Sequence, residues 1–210
     1  VDLTMETGYP WKGNVKLVVS PVKKQQFELR IRIPGWLSTP APGNLYRYET
    51  PEADILEIKV NGIPAQYTVD RGYAVIKQVW KKGDIVTMNL PMKVRRIISN
   101  PAVKQNKNRI ALQYGPLVYC VEGVSDEFDA GGVIVPDGTA FEISYEPSLL
   151  GGINVLRFEA PVVTVSKDGL SVTTFRKKIT AIPYFSWNNR GASEMQVWLP
   201  SGIQQISINE

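Results

Sequence analysis

The chain has 210 residues, room for one large or two small domains, and its 43% apolar and 21% charged content is ordinary for a folded protein. It has no histidine and one cysteine, Cys120, which excludes Ser-His-Asp and Cys-His catalysis, histidine-bound zinc and an internal disulfide. The net charge of +4 is uneven, with 15 Lys and Arg against 9 Asp and Glu in residues 1–100 and 9 against 11 in the rest. These basic residues alternate with apolar ones, as in Glu28-Leu29-Arg30-Ile31-Arg32-Ile33, instead of gathering into one face. Nucleic-acid binding is therefore not expected. No apolar run approaches the roughly 20 residues of a membrane helix. Val1-Asp2-Leu3-Thr4 also lacks the basic start and apolar core of a signal peptide. A chain without an initial methionine reads as a fragment or a processed product.

In chain order, strand-like runs recur at the spacing of an all-β sandwich. Leu3 to Thr7 is the first, followed by Val15 to Val19 and by Phe27 to Ile33, which Pro34-Gly35 stops. A Pro-rich loop, Ser38 to Gly43, precedes strands at Ile55 to Val60, Gln66 to Val69, Tyr73 to Gln78 and Ile85 to Leu90. Asn61-Gly62 is a hairpin signal, since both residues accept positive φ. Val94 to Ile98 closes this half, and Asn100-Pro101 with the polar run Lys104 to Asn108 reads as a linker. The central stretch Asn108 to Gly123 holds two apolar runs joined by Gly115-Pro116 and reads as one buried, kinked strand. Further strands are expected at Phe141 to Tyr145, Val155 to Ala160, Val162 to Val165, Ser171 to Phe175, Ile179 to Ile182, Met195 to Leu199 and Ile203 to Ile208. No segment sustains helical periodicity. The expected fold is all-β, two tandem antiparallel β-sandwich domains with little or no helix, at residues 1–99 and 100–210.

Little chemistry stands out. Glu57, Glu122, Glu142, Glu146 and Glu159 could supply a glycosidase carboxylate pair, but the sequence singles out no pair, and outward positions on half-buried sheets explain them. Asp126-Glu127-Phe128-Asp129 clusters oxygens as calcium sites do, without the spacing of a known calcium loop. Cys120 sits among apolar residues with no basic neighbour in sequence and reads as a buried, inert thiol. Trp11, Trp36, Tyr46, Tyr48, Trp80 and Trp187 could present rings to a sugar. Trp80 and Trp198 occupy apolar strand positions and read as core. Trp11 and Trp187, beside Gly and Asn in loops, are the candidate carbohydrate contacts, with packing at a domain interface as the plainer reading.

Seven stretches, taken together and in order, resemble the C-terminal part of glycoside hydrolase family 127, formerly a domain of unknown function (1680). They are Tyr9-Pro-Trp-Lys-Gly13, Leu29-Arg-Ile-Arg-Ile-Pro-Gly-Trp36, Val60-Asn-Gly62, Trp80-Lys-Lys-Gly-Asp84, Leu90-Pro-Met-Lys-Val-Arg-Arg96, Ala111-Leu-Gln-Tyr-Gly-Pro-Leu-Val-Tyr-Cys120 and Ile182-Pro-Tyr-Phe-Ser-Trp-Asn-Asn-Arg-Gly191. The resemblance implies a region of a retaining β-L-arabinofuranosidase-like enzyme. In that family a cysteine nucleophile, a zinc ion held by cysteines and a glutamate, and a glutamate acid/base sit in an N-terminal (α/α)6 barrel. No catalytic residue carries over: Cys120 falls in a sandwich strand, and zinc is expected only in the barrel. The implied partner is that barrel, and the first sandwich would also take a strand from the enzyme's extreme N-terminus. An uncovered edge could favour a homodimer, and kinship favours a periplasmic or secreted parent. The alternative is a carbohydrate-binding module for arabinose-containing glycans.

Overall fold

Alternation of apolar and polar residues governs nearly every element of the computed structural model, which describes residues 1–40, 44–51, 54, 56–123, 128–166 and 168–202. Among them the only helical segments are three-residue 3-10 turns. The chain forms two compact all-β units, Val1–Thr39 with Pro51–Lys93, and Pro40–Thr50 with Val94–Glu210.

The first unit contains β1 (Asp2–Thr7), β2 (Asn14–Ser20) and β3 (Gln25–Arg32), while β4 (Tyr46–Tyr48) lies in the insertion that joins the second unit. It continues with β5 (Glu57–Val60), β6 (Ile63–Pro64), β7 (Thr68–Asp70), β8 (Tyr73–Trp80) and β9 (Asp84–Asn89). Two antiparallel sheets form, ordered β1-β2-β9-β5-β6 and β3-β8-β7. Period-two side chains meet between them: Val19, Ile58, Val86 and Met88 from the larger sheet, and Leu29, Ile31, Ala74, Ile76 and Trp80 from the smaller. Trp80 is fully buried, and its indole N–H donates to the Phe27 carbonyl at 3.1 Å. The Asn61-Gly62 turn joins β5 to β6 with φ of 51° and 82°, as the expected hairpin requires. Asp84, buried in the core edge, is satisfied by the Lys81 N–H at 2.9 Å and the Asn61 amide at 3.0 Å.

Core-side residues stay exposed at the margins of this unit: Ile63 of β6 is 70% and Val69 of β7 64% exposed although they pair with core residues Val60 and Ala74, and β1 extends the pattern over two residues. The short links β2–β3 and β8–β9 each pass from one sheet to the other. In the antiparallel register Leu3 pairs with Val19 and Met5 with Leu17, which places both on the core side of the sheet. Val19 is fully buried, yet Leu3 is 54% and Met5 63% exposed. On the smaller sheet, β3 pairs with β8 alone among the described strands, leaving its other edge unpaired.

The second unit comprises β4 with β10 (Val94–Ser99), β11 (Arg109–Tyr114), β12 (Leu117–Glu122), β13 (Glu142–Glu146), β14 (Ile153–Val165), β15 (Val172–Pro183), β16 (Met195–Gln196) and β17 (Leu199–Pro200). The path β13-β14-β15-β12-β11-β10-β4 is extended by β16 on β12 and β17 on β11. Its core draws on Ile110, Leu112, Tyr119, Val121, Leu156, Phe158, Ala160, Val162, Ile179, Ala181 and Leu199.

Several expectations are corrected here. Asn108 to Gly123 is a hairpin instead of one kinked strand: Tyr114 pairs with Leu117 across Gly115-Pro116, and Gly115 takes φ 55°, the angle a two-residue primed turn requires. Val94 to Ile98 pairs with β11 and β4, so the units divide between residues 93 and 94, ahead of the expected 99/100. Residues 40–50 also leave the first unit. β4 pairs with β10, and Arg96 clamps Glu49 through its Nε, the Val135 and Pro136 carbonyls at 3.0 and 2.9 Å, and Asp137 at 2.8 Å. Val155 to Val165 runs as one strand through Pro161, whose carbonyl accepts from the Ile134 N–H. The expected strand Ile203 to Ile208 lies outside the described residues.

The uncovered strand has a measurable consequence in this chain. Met5→Ala changes unfolding free energy by less than about 0.5 kcal/mol, as at an open surface, whereas Ile76→Ala costs about 2–5 kcal/mol. Urea denaturation of the two variants checks both values.

Candidate functional site

In the second unit, an ion pair organises the segment that follows β15. Glu122 ends β12 with its side chain only 1% exposed, and its carboxylate accepts hydrogen bonds from Arg190 Nε at 2.9 Å, from Arg190 Nη2 and from the Asn188 N–H at 3.1 Å. A carboxylate so deeply buried is tolerable only because a cation and a backbone donor meet it. The fixed segment contains a 3-10 turn, Tyr184–Ser186, in which residues three apart eclipse. Tyr184 and Trp187 stack with 6° between their planes and centroids 6.4 Å apart, and with Phe185 they remain 36–61% exposed.

Beside this turn lies a cleft of about 440 Å³, bounded by Tyr46, Tyr184 and Trp198 and floored by Ala111 and Gln113. The Tyr46 and Trp198 rings meet with centroids 5.3 Å apart. Gln113 is 4% exposed, and its amide nitrogen donates to the Tyr48 hydroxyl at 3.0 Å and the Gly115 carbonyl at 2.7 Å. The Arg95 guanidinium sits 4.4 Å from the Tyr48 ring centroid, bracing the residue that holds Gln113.

The residues proposed from sequence are scattered. Trp11, half-buried, follows a Tyr9-Pro10 cis peptide in the first unit, and its N–H donates to the Gly8 carbonyl. Trp187 belongs to the second unit. Trp36 donates to the Tyr9 hydroxyl at 3.0 Å, and Trp80 is core. Trp198 is half-buried and lines the cleft, so the core reading holds only in part. It shares with Tyr184 the mixed burial that period-two pattern alone cannot separate from full burial.

Carboxylates show no glycosidase arrangement among the described residues. Glu57 pairs with Lys59 at 2.8 Å, Glu142 with Lys178 at 3.4 Å, and Glu159 is exposed. Glu146 is held below the usual carboxylate range by hydrogen bonds from Arg157 and Ser144, the wrong direction for a general acid. Glu122 departs from the outward position expected of it, because its ion pair stabilises it inside. Glu194 is raised to about 7, chiefly by Asp129 beside it. Asp126 and Glu127 of the acidic loop lie outside the described residues. Asp129 accepts from the Gly131 N–H at 2.6 Å, capping its own turn. Cys120 is 1% exposed, and burial, reinforced by Glu122, pushes its thiol up to about 12. A single such thiol in a chain without histidine does not fit a cysteine-and-glutamate zinc set. Among the described residues no three His, Cys, Asp or Glu gather to hold a metal, and no helix is long and apolar enough to cross a membrane.

Residues 94–200 match the profile of the glycoside hydrolase family 127 C-terminal domain, and residues 1–92 match that of the beta-L-arabinofuranosidase GH127 middle domain. The chain belongs to glycoside hydrolase family 127. It is 27% identical to the non-reducing end beta-L-arabinofuranosidase of Bifidobacterium longum subsp. longum, over 93% of this chain and 30% of that protein. A solved GH127 beta-arabinofuranosidase superposes with a TM-score of 0.88 at 35% identity, over 98% of this chain and 32% of the other. A GH127 beta-L-arabinofuranosidase from Geobacillus stearothermophilus T6 gives 0.80 and 35% over 94% and 30%. The chain thus spans about a third of the length of these relatives and corresponds to the family's middle and C-terminal domains. The boundary between the two family profiles coincides with the structural division between residues 93 and 94.

The Glu194–Asp129 pair supplies a pH test of this family 127 region. Glu194 is raised to about 7, first by its hydrogen bond to Asp129 and then by partial burial and that residue's charge. A carboxyl raised on folding contributes stability that is complete below its unfolded value, about 4.5, and lost as pH climbs through about 7. Glu194→Gln, which mimics the protonated form, therefore gains Tm relative to the parent chain as pH rises from 4.5 to 8. Paired thermal melts across that range read the difference.

Proposed function

We propose that this chain is the non-catalytic, accessory β-sandwich region of a glycoside hydrolase resembling retaining β-L-arabinofuranosidases, and that it supports an N-terminal (α/α)6 catalytic barrel in a longer parent protein. The observation that carries the reading is the uncovered core face of β1. Leu3 and Met5 share the sheet face of buried Val19 but meet solvent, and β3 pairs with β8 alone among the described strands. A strand from outside these 210 residues, paired on the free edge of β3, would close the sandwich over β1 and tie the region to the rest of the parent. The relatives' greater length supports a parent of that kind. The chemistry of the described residues agrees: the thiol is buried, Glu57, Glu122 and Glu142 are ion-paired, and Glu159 is outward.

Hydrolysis of a chromogenic β-L-arabinofuranoside, with zinc and reductant present, separates this reading from a self-contained enzyme. The 210-residue chain shows no turnover above background, and the same chain extended upstream through the encoded region does. Turnover by the short chain overturns the proposal.

A further inference from the structure

The cleft of the second unit is built for a ligand, and its chemistry names the class. We propose that it is a binding site for a neutral saccharide, seated against Tyr46, Tyr184 and Trp198 and hydrogen-bonded by Gln113 and Gln196.

The geometry starts from the sheet. Ile110 and Leu112 of β11 point into the main core, so Ala111 and Gln113 occupy the opposite face, together with Ile97 and Val118 from the neighbouring strands. An outer sheet face is normally either polar and wet or covered. Here it is apolar and carries one buried amide. Both donor contacts of the Gln113 nitrogen are internal, to the Tyr48 hydroxyl and the Gly115 carbonyl, which fixes the plane of the amide. The side chain is more than nine-tenths buried and lines the cleft. Gln196 adds a second amide at the cleft wall, oriented by its bond to the Trp198 carbonyl at 2.8 Å.

The walls complete the assignment. Three aromatic side chains border the space, and an aromatic face packs well against the C–H side of a sugar ring while the amides meet its hydroxyls. None of the lining residues is charged, which favours a neutral ligand over a sugar acid or phosphate. The volume of about 440 Å³ is within the roughly 300–1,000 Å³ of small-molecule sites and holds one or two sugar units. The Glu122–Arg190 pair keeps the Tyr184 turn in place, so the site is largely preformed. This proposal does not rest on the accessory role, and the hydrolysis assay leaves it untouched.

The test is an NMR titration of the 210-residue chain with L-arabinose, D-galactose and xylobiose, with indole as an apolar control. Saturable shifts are expected at the Gln113 and Gln196 side-chain amides and the Trp198 indole, for at least one sugar, with a dissociation constant on the order of 1–10 mM. Tyr184→Ala, at a position 48% exposed, keeps the dispersed spectrum and weakens that binding about fivefold or more. Three results would overturn the proposal: no saturable shift with any sugar, shifts unchanged by Tyr184→Ala, or saturation by indole alone.

Discussion

A sheet face made of apolar side chains must be covered, and in the first unit this requirement is met at the centre of the sheets but not at the margins, where Leu3 and Met5 of β1, Ile63 of β6 and Val69 of β7 stay exposed. Between the two sheets Val19, Ile76, Trp80 and Val86 are sealed, and their burial supplies the main driving force for that unit. The same register that buries Val19 aims Leu3 and Met5 at the same layer, where they stay exposed. β3 has a free edge as well, since it pairs with β8 alone among the described strands. A single added strand could supply both an apolar cover and a hydrogen-bond partner. That geometry supports the accessory role proposed for this family 127 region.

The second unit depends on a different constraint, the satisfaction of buried polar groups. Glu122, Gln113 and Arg96 each sit where water is scarce, and each organises a neighbouring segment by the partners it demands. Glu122 fixes the turn that displays Tyr184 and Trp187. Arg96 draws Glu49 and the loop at 135–137 onto β10. Gln113 is held by the Tyr48 hydroxyl, so β4, contributed by an insertion in the first unit's sequence, shapes the floor of the cleft. Loss of that insertion would remove both a wall, Tyr46, and the anchor of the amide.

Local pattern revealed much of this architecture. Period-two burial in β3, β8 and β9 and the Asn61-Gly62 turn are written in adjacent residues, and so were legible. Features that depend on distant partners were not. Tyr46 to Tyr48 has too few residues to declare a strand, and only pairing with β10 makes it one. Gly115-Pro116 allows either a kink or a reversal, and the choice is made by the ladder between Tyr114 and Leu117. For the cleft, Tyr46 is visible as an aromatic candidate, whereas Glu122 reads as outward and Trp198 as buried. The partners of Glu122 lie more than sixty residues away. Trp198 is half-buried because β16 and β17 break around it, which alternation does not reveal.

The completion of the first sandwich is tested most directly by amide hydrogen exchange on β1 and β3, comparing the 210-residue chain with the upstream-extended protein. The account predicts that amides on the free edge of β3, together with the backbone of β1, exchange much faster in the short chain, while β8 and β9 exchange alike in both. Equal exchange at β1 and β3 in the two proteins would contradict it.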